Sequence, residues 1–181
     1  MKRLPLPSPR RRPRRTVWVT ALAAFAAVGC TDRDTAVVTG PPTVQPSSMV
    51  AYLSVSTSAV VAGDELTVSG NVRLGAGTPR VGSYLARVTY DPALLQFVGE
   101  VPVEGGARAL NPEIGQLTVA GASADGISSE RLFALRFKVI GPSALSSLML
   151  DVKELNDASY EVRTTSVQRK RTLYLDELTA P

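Results

Sequence analysis

Short runs in which apolar and polar residues alternate make up most of the sequence after residue 50. From Ser83 to Tyr90, every second residue is apolar or aromatic, namely Tyr84, Ala86, Val88 and Tyr90. A period of two predicts a β-strand with one buried face. The side chains of Ser83, Leu85 and Arg87 are therefore predicted to point outward from that strand.

The tripeptide Tyr90-Asp91-Pro92 ends this strand. Proline fixes φ and has no N–H to donate, so it suits the opening of a turn and does not suit a central strand. The apolar run Leu94–Val98 then predicts a second extended segment, which Gly99 closes. The sequence therefore predicts two strands joined by a sharp corner.

Further alternating runs follow the same rule. They are centred on Leu53 and Val55, Leu66 to Val72, Leu117 and Val119, Phe133 to Val139, Leu148 to Val152, Tyr160 and Val162, and Leu173 and Leu175. The segment after Gly99 is predicted to be irregular, and 122–130 a loop of small residues. No segment of helical length keeps a 3.6-residue period, so the pattern predicts an all-β sandwich or barrel.

The segment from Met1 to Gly29 is typical of an export signal. Seven Lys and Arg residues lie between Lys2 and Arg15, and the uncharged run Thr16–Gly29 follows them. This run is short for a membrane span and fits the apolar region of a signal peptide. The sequence Ala27-Val28-Gly29-Cys30 resembles the bacterial lipoprotein processing site, which predicts a lipid on Cys30. An ordinary secretory signal with an unrelated cysteine is the alternative.

The remaining chain divides into three predicted parts. Residues 30–49 are rich in Pro, Thr, Ser and Gly and predict a flexible linker. Residues 50–175 form the β-sandwich domain, and residues 176–181 form a C-terminal tail. The predicted location is the bacterial cell envelope, where the lipid anchors the domain to a membrane and the domain faces the periplasm or the exterior.

Removal of the leader reverses the sign of the net charge. The leader takes seven of the 20 Lys and Arg residues, which leaves 13 against 16 Asp and Glu, a formal net charge of −3. The mature chain therefore loses the basic character that nucleic-acid binding requires. Because Cys30 is the only cysteine, no disulfide is expected to hold the domain together.

Three stretches, in order and with their spacing, resemble a cohesin domain. They are SYLARVTYDPALLQFVG from Ser83 to Gly99, QLTVAGAS from Gln116 to Ser123, and LFALRFKVIG from Leu132 to Gly141. The resemblance extends from Tyr52 to Leu175 and implies a jelly-roll sandwich of about nine strands. It also implies a partner, since the best-known cohesin partner is a dockerin on a polysaccharide-degrading enzyme.

The resemblance also implies where such a partner would bind. In many cohesins the strand before the corner carries an outward Asn/Asp pair that hydrogen-bonds the dockerin. These positions correspond to Ser83 and Leu85 here, and Leu85 cannot supply an amide or a carboxylate. The predicted partner-binding residues are therefore Ser83, Leu85 and Arg87, with the usual polar anchors replaced.

The residue types exclude several kinds of chemistry. The chain has no histidine, which excludes Ser-His-Asp and Cys-His catalysis and histidine-based metal sites. Two carboxylate pairs, Glu100 with Glu104 and Asp151 with Glu154, are predicted to be solvated surface charges. The oxygen-rich group Glu154, Asn156 and Asp157 is predicted to be an acidic turn, with a calcium loop as the alternative. No catalytic residue, cofactor or metal is expected.

Two binding functions remain after these exclusions. The first is protein–protein recognition by a lipid-anchored, non-enzymatic module at the cell envelope. The second is a carbohydrate-binding module that contacts polysaccharide directly, but the only tryptophan, Trp18, lies in the leader. Tyr52, Tyr160 and Tyr174 are the aromatic residues predicted to be available at the surface, and they form no row in the sequence. A purely structural envelope protein also stays open.

Overall fold

The computed structural model describes residues 37–159, 161–162 and 173–175. Its elements are β1 (Val37–Val38), β2 (Met49–Val55), β3 (Glu65–Leu74), β4 (Val81–Thr89), β5 (Leu95–Val101), β6 (Ala107–Glu113), β7 (Gln116–Ile127), β8 (Arg131–Val139), a 3₁₀-helix (Ala144–Ser147), β9 (Met149–Asp157) and β10 (Leu173–Leu175). Within this part of the chain, no helix is long and apolar enough to cross a membrane.

The strands form two sheets that pack face to face. The larger sheet has the order β1-β10-β2-β3-β8-β5, and the smaller sheet has the order β6-β7-β4-β9. Most neighbours are antiparallel, whereas β10 runs parallel to both β1 and β2. The predicted all-β sandwich is confirmed. The very short strand β1 brings the strands of the described residues to ten, against the predicted nine or so.

The alternating runs form the core that they predict, except the run at Tyr160 and Val162. Val162 is 69% exposed and forms only an isolated bridge with Asn156, whereas Tyr160 lies outside the described residues. The buried set includes Leu53, Val55, Leu66, Val68, Tyr84, Ala86, Val88, Leu117, Val119, Phe133, Leu135, Phe137 and Leu150. Their burial removes apolar surface from water at about 25 cal/mol per Å², and this is the main stabilising contribution in a domain without a disulfide. The small 3₁₀-helix adds Ala144 and Leu145 to the same core.

Two aromatic rings at the centre of the core require glycine beneath them. The ring of Phe133 covers Gly70, which lies opposite it on β3, and the ring of Tyr84 covers Gly121, which lies opposite it on β7. A Cβ atom on Gly70 would lie 2.1 Å from Phe133 Cζ. The two rings then meet across the sandwich with centroids 6.2 Å apart. These glycines allow bulky rings to fill the space between the sheets.

The corner after β4 has the geometry that its sequence predicts. Asp91 Oδ1 accepts a hydrogen bond from the Ala93 N–H at 2.8 Å, and the Asp91 carbonyl accepts from Leu94 and Leu95. Asp91 therefore caps the turn that Pro92 opens. The Tyr90 ring packs edge-to-face on Phe137 with centroids 5.2 Å apart.

Two segments that the sequence predicted as irregular are strands. Residues 107–113 form β6, where Pro112 lies on the edge of the smaller sheet. An edge strand tolerates proline because one side of its backbone needs no partner. The strand β7 continues to Ile127, although 122–130 was predicted to be a loop. The sequence pattern did not predict these two strands because their small residues weaken the alternation of apolar and polar positions.

Part of the range predicted as a linker belongs to the fold. Val37 and Val38 pair with β10, and Met49 is fully buried. Between them, Ser47 donates its N–H to Ala76 O, and a Cβ on Gly75 would lie 2.0 Å from Gln45 O. The folded part therefore includes Val37 and does not begin as late as residue 50. Residues 1–36 and 176–181 lie outside the described residues, so the leader, Cys30 and the tail stay predictions.

Candidate partner-binding face

The strand β4 lies inside the smaller sheet, with β7 on one side and β9 on the other. Tyr84, Ala86 and Val88 point into the core, so the intervening side chains must point away from it. Ser83, Leu85 and Arg87 are half-buried on that outer face. Their predicted outward direction is correct, while their role in binding stays a prediction.

The adjacent strand β9 supplies polar groups that the sequence prediction did not include. Asn156 lies opposite Ser83, Glu154 opposite Leu85, and Asp151 opposite Arg87. The Asn156 Nδ2 donates to Ser83 Oγ at 3.0 Å and to Glu154 Oε1 at 2.6 Å. An amide and a carboxylate therefore lie beside the serine and the leucine, on the next strand of the same face.

The side chain of Arg87 lies near the middle of this face. Its partner across the strands is Asp151, which forms an ion pair with Lys153 at 2.6 Å. The Arg87 Nε atom is buried and has no hydrogen-bond partner among the described residues. Arg87 and Lys153 thus place two positive charges at this point of the face, against the one negative charge of Asp151.

The part of the face that lies beside Ser83 and Leu85, on β7 and β6, is smooth and apolar. Ala122 and Ala120 lie opposite Ser83 and Leu85 on β7, and Ala107 and Ala109 lie opposite those alanines on β6. We call these four residues the alanine patch. Methyl groups leave a flat surface, so a partner can approach the sheet closely here.

At the far corner of the face lies Glu113, the last residue of β6. Its carboxylate accepts hydrogen bonds from Gln116 Nε2 at 3.2 Å and from Asn111 Nδ2 at 3.5 Å. Both donors are neutral amides. Glu113 is exposed and forms no ion pair with another described residue.

The structure assigns ordinary roles to the carboxylate pairs considered for catalysis. Glu100 forms an ion pair with Arg108 at 3.2 Å, and Glu104 lies exposed in the loop between β5 and β6. Asp151 is paired with Lys153, as described above. In none of these cases do two carboxylates face each other across a cleft, as glycoside hydrolysis requires.

The oxygen-rich group considered for calcium lies on β9 and divides between its two faces. Asp157 is fully buried, and its Oδ1 accepts the N–H groups of Ser159 and Glu161 at 2.8 and 3.1 Å. It therefore caps the turn that follows β9, whereas Glu154 and Asn156 point outward. No cluster of metal-binding side chains occurs in the described part of the chain.

Burial raises the pKa of Tyr84 well above its ordinary value, because the phenolate would lose its hydration. The nearby Arg108 guanidinium opposes this effect and Glu100 adds to it, both to a smaller extent. The neutral phenol donates to Leu132 O at 2.8 Å. Tyr84 therefore links the two sheets as a structural residue.

Aromatic side chains do not form a platform for sugar rings in the residues that the structure describes. Tyr52, predicted to be available at the surface, is only 7% exposed. That prediction is wrong because Tyr174 packs edge-to-face on its ring, with centroids 5.2 Å apart. Tyr160 lies outside the described residues.

A surface groove lies between the edge strands β5 and β6, beside the corner after β4. It has a volume of about 360 Å³ and is lined by Tyr90, Pro92, Leu95, Gln96, Phe97, Pro112, Glu113 and Ile114. Ile114, at the tip of the β6–β7 hairpin, is 91% exposed. The groove adjoins the face that carries Ser83, Leu85 and Arg87, and Glu113 lies at the border between them.

Comparison with known proteins identifies the fold. No protein-family model matches the sequence, and no curated protein matches it. The structure is similar to the sixth cohesin of scaffoldin B from Acetivibrio cellulolyticus, solved in complex with a dockerin, with a TM-score of 0.51 and 18% identity over 70% of this chain and 99% of that one.

Two further complexes give the same result. A type I cohesin–dockerin complex from Clostridium thermocellum matches with a TM-score of 0.52 and 10% identity, over 70% of this chain and 94% of that one. A type II cohesin–X-dockerin complex from Acetivibrio cellulolyticus matches with a TM-score of 0.51 and 10% identity, over 71% of this chain and 96% of that one. At this identity the similarity shows the fold.

The resemblance to cohesins is therefore confirmed at the level of the fold. The match extends over nearly the full length of these solved cohesins, so almost all of their fold has a counterpart in this chain. Cohesin domains are non-catalytic binding modules. Because the similarity shows the fold alone, the expectation that this chain is not an enzyme stays a prediction.

Proposed function

We propose that this chain is a protein-recognition module that binds a dockerin-like partner through the outer face of the smaller sheet. The observation that carries the proposal is the continuity of that face, on which the alanine patch, Leu85 and the polar side chains of β9 lie side by side. Three solved structures of the same fold are complexes with dockerins, which supports a partner of this kind.

The proposed contact residues are Ser83, Leu85 and Arg87, together with Glu154 and Asn156. Leu85 contributes apolar area at the centre, where burial contributes most to affinity. The amide of Asn156 and the carboxylate of Glu154 take the part that an Asn/Asp pair on β4 takes in many cohesins. Loss of one polar anchor at the centre of an interface costs on the order of 1–3 kcal/mol of binding free energy. Because the two polar anchors lie on β9 and not on β4, we expect this face to bind a different partner surface.

The module is held at the bacterial cell envelope by a lipid on Cys30, and through its partner it is linked to polysaccharide degradation. The anchor is supported by the basic segment, the uncharged run and the small residues before a single cysteine. Labelling of cells with a palmitate analogue tests it. We expect label on the wild-type chain and none on Cys30→Ala, and equal labelling of the two would contradict the anchor.

Protein recognition has more support than direct polysaccharide binding. Tyr84, Phe133 and Phe137 belong to the core, and Tyr52 is covered by Tyr174. A row of exposed rings, which stacks on sugars in many carbohydrate-binding sandwiches, is missing from the described residues. A glycan array provides the direct comparison, and retention on polysaccharide without a protein partner would favour carbohydrate binding.

The test is a calorimetric titration of the full chain with dockerin domains from the same organism. We expect Leu85→Arg to abolish binding, because it places a charge and a long side chain at the centre of the face. Val98→Arg is the matched control, since Val98 is an exposed apolar residue on β5 of the other sheet. Binding that is unchanged in Leu85→Arg, or equally weakened in both variants, would contradict the proposal.

A further inference from the structure

Two carboxylates on the outer face of the smaller sheet have no ion-pair partner among the described residues. Glu154 accepts a hydrogen bond from Asn156, and Glu113 accepts hydrogen bonds from Gln116 and Asn111. All these donors are neutral. In contrast, the Asp151 carboxylate on the edge strand β9 is paired with Lys153 and lies opposite Arg87, so positive charge exceeds negative charge there. The negative charge that has no ion-pair partner among the described residues therefore lies at two separate points, on either side of the cation Arg87.

The register of the strands gives the distance between these points. Glu113 lies opposite Gln116, which lies opposite Thr89, whereas Glu154 lies opposite Leu85. The two carboxylates are thus three strand spacings apart across the sheet and four positions apart along it. With about 4.8 Å between strands and about 3.3 Å per residue, their separation is about 20 Å.

The surface on one side of the line that joins them is apolar and shallow, whereas Thr118 and Arg87 lie close to the line itself. The alanine patch and Leu85 form this apolar surface, and neither offers a hydrogen-bonding side chain. Because alanine side chains do not protrude, good packing there requires large side chains on the partner. The two carboxylates and the shallow apolar surface together restrict the kind of partner surface that can bind this face tightly.

We propose that the partner of this face presents a centre of bulky apolar side chains flanked by two basic groups about 20 Å apart. The basic groups pair with Glu113 and Glu154, and the apolar centre covers Leu85 and the alanine patch. This inference rests on the proposed function, because it assigns a partner chemistry to the same face. Charges at the rim of an interface act mainly on the association rate and its dependence on salt.

The probes are two synthetic peptides of equal length and equal leucine content, one with lysine and one with glutamate at the polar positions. Binding to the full chain is measured by fluorescence anisotropy in low salt and in high salt, where charges are strongly screened. At low salt we expect the lysine peptide to bind at least about tenfold more tightly than the glutamate peptide. The double variant Glu113→Gln/Glu154→Gln should weaken the lysine peptide by about three- to tenfold at low salt, and the difference should vanish at high salt.

The matched control is Glu104→Gln/Glu130→Gln, which removes two exposed carboxylates from loops outside this face. It changes the net charge by the same amount, and we expect it to bind the lysine peptide as the wild type does. Ala120→Arg should weaken both peptides because it obstructs the alanine patch.

Equal losses in the two double variants, or equal binding of the two peptides, would overturn the inference. The proposed function is tested independently by Leu85→Arg with a dockerin. Loss of dockerin binding in that variant, with no effect of Glu113 and Glu154, would refute the partner chemistry and leave the proposed function standing.

Discussion

The contact between Gly121 and the Tyr84 ring gives the sharpest prediction about the stability of the domain. A Cβ atom on Gly121 would lie 2.3 Å from Tyr84 Cε1 and 2.7 Å from the phenolic oxygen. Gly121→Ala therefore forces the ring to move by about 1 Å or more, since carbon atoms pack at about 3.5–4.0 Å. The ring has little room to move, because the void beside it measures only about 10 Å³.

The cost can be worked from the two interactions that this movement disturbs. Overpacking a core costs about 1–3 kcal/mol. Movement of the ring also strains the hydrogen bond from the Tyr84 hydroxyl to Leu132 O, which is worth about 0.5–1.5 kcal/mol. Gly121→Ala is thus expected to lower the free energy of unfolding by about 2–4 kcal/mol and Tm by about 10 °C.

Thermal and urea denaturation followed by circular dichroism measure this effect. Gly99→Ala is the matched control, because a Cβ at Gly99 would meet no atom within 4 Å. We expect that variant to stay within about 1 kcal/mol of the wild type. The explanation would be refuted if Gly121→Ala melted within about 2 °C of the Gly99→Ala control.

Two more predictions concern the polar groups near Tyr84. Arg108→Lys should lower the free energy of unfolding by about 1–2 kcal/mol in urea titrations. The Arg108 guanidinium donates hydrogen bonds to Glu100 and to the carbonyls of Val103 and Gly105, and an ammonium group cannot reach all three. A urea midpoint equal to that of the wild type would contradict this prediction. The raised pKa of Tyr84 predicts a loss of stability at high pH. Above about pH 10 the unfolded chain releases this proton while the folded chain keeps it, so the free energy of unfolding falls by about 1.4 kcal/mol per pH unit. Urea titrations on either side of the ordinary tyrosine pKa should show a shallower fall for Tyr84→Phe than for the wild type, and equal slopes would show that Tyr84 does not cause it.

The strands of the core could be predicted because their signal is local. Every second side chain of Ser83–Tyr90 and of Phe133–Val139 is apolar, and that period alone fixes both the strand and its buried face. The strand β6 could not be predicted in this way. It lies at an edge, and two of its four outward positions hold alanines. Its proline is tolerated because no other described strand pairs with that edge.

The polar half of the binding face was missed for a different reason. The alternation of Leu148, Leu150 and Val152 breaks before Leu155, and the oxygen-rich residues Glu154, Asn156 and Asp157 were predicted to form an acidic turn. The structure has a register shift between β4 and β9 at this point, and one extra residue moves Glu154 and Asn156 to the outer face. A break of alternation by one residue is the signal that a bulge leaves in a sequence.

The start of the domain could not be predicted because it is defined by contacts between distant parts of the chain. Val37–Val38 is too short to show a period, and its partner among the described strands is β10, the last one in the chain. The Pro- and Ser-rich composition of residues 39–48 predicts a linker. The same composition would occur whether this segment packs on the domain or extends into solvent. Only the tertiary structure distinguishes the two cases.

Methyl chemical-shift mapping of the full chain, titrated with a dockerin that binds it, tests the central claim most directly. If the outer face of the smaller sheet is the binding surface, the methyl signals of Leu85, Ala109 and Ala120 shift, and those of the exposed Val98 and Val61 do not. Shifts at Val98 or Val61, with the methyl signals of Leu85 and the alanine patch unchanged, would contradict the assignment of this face.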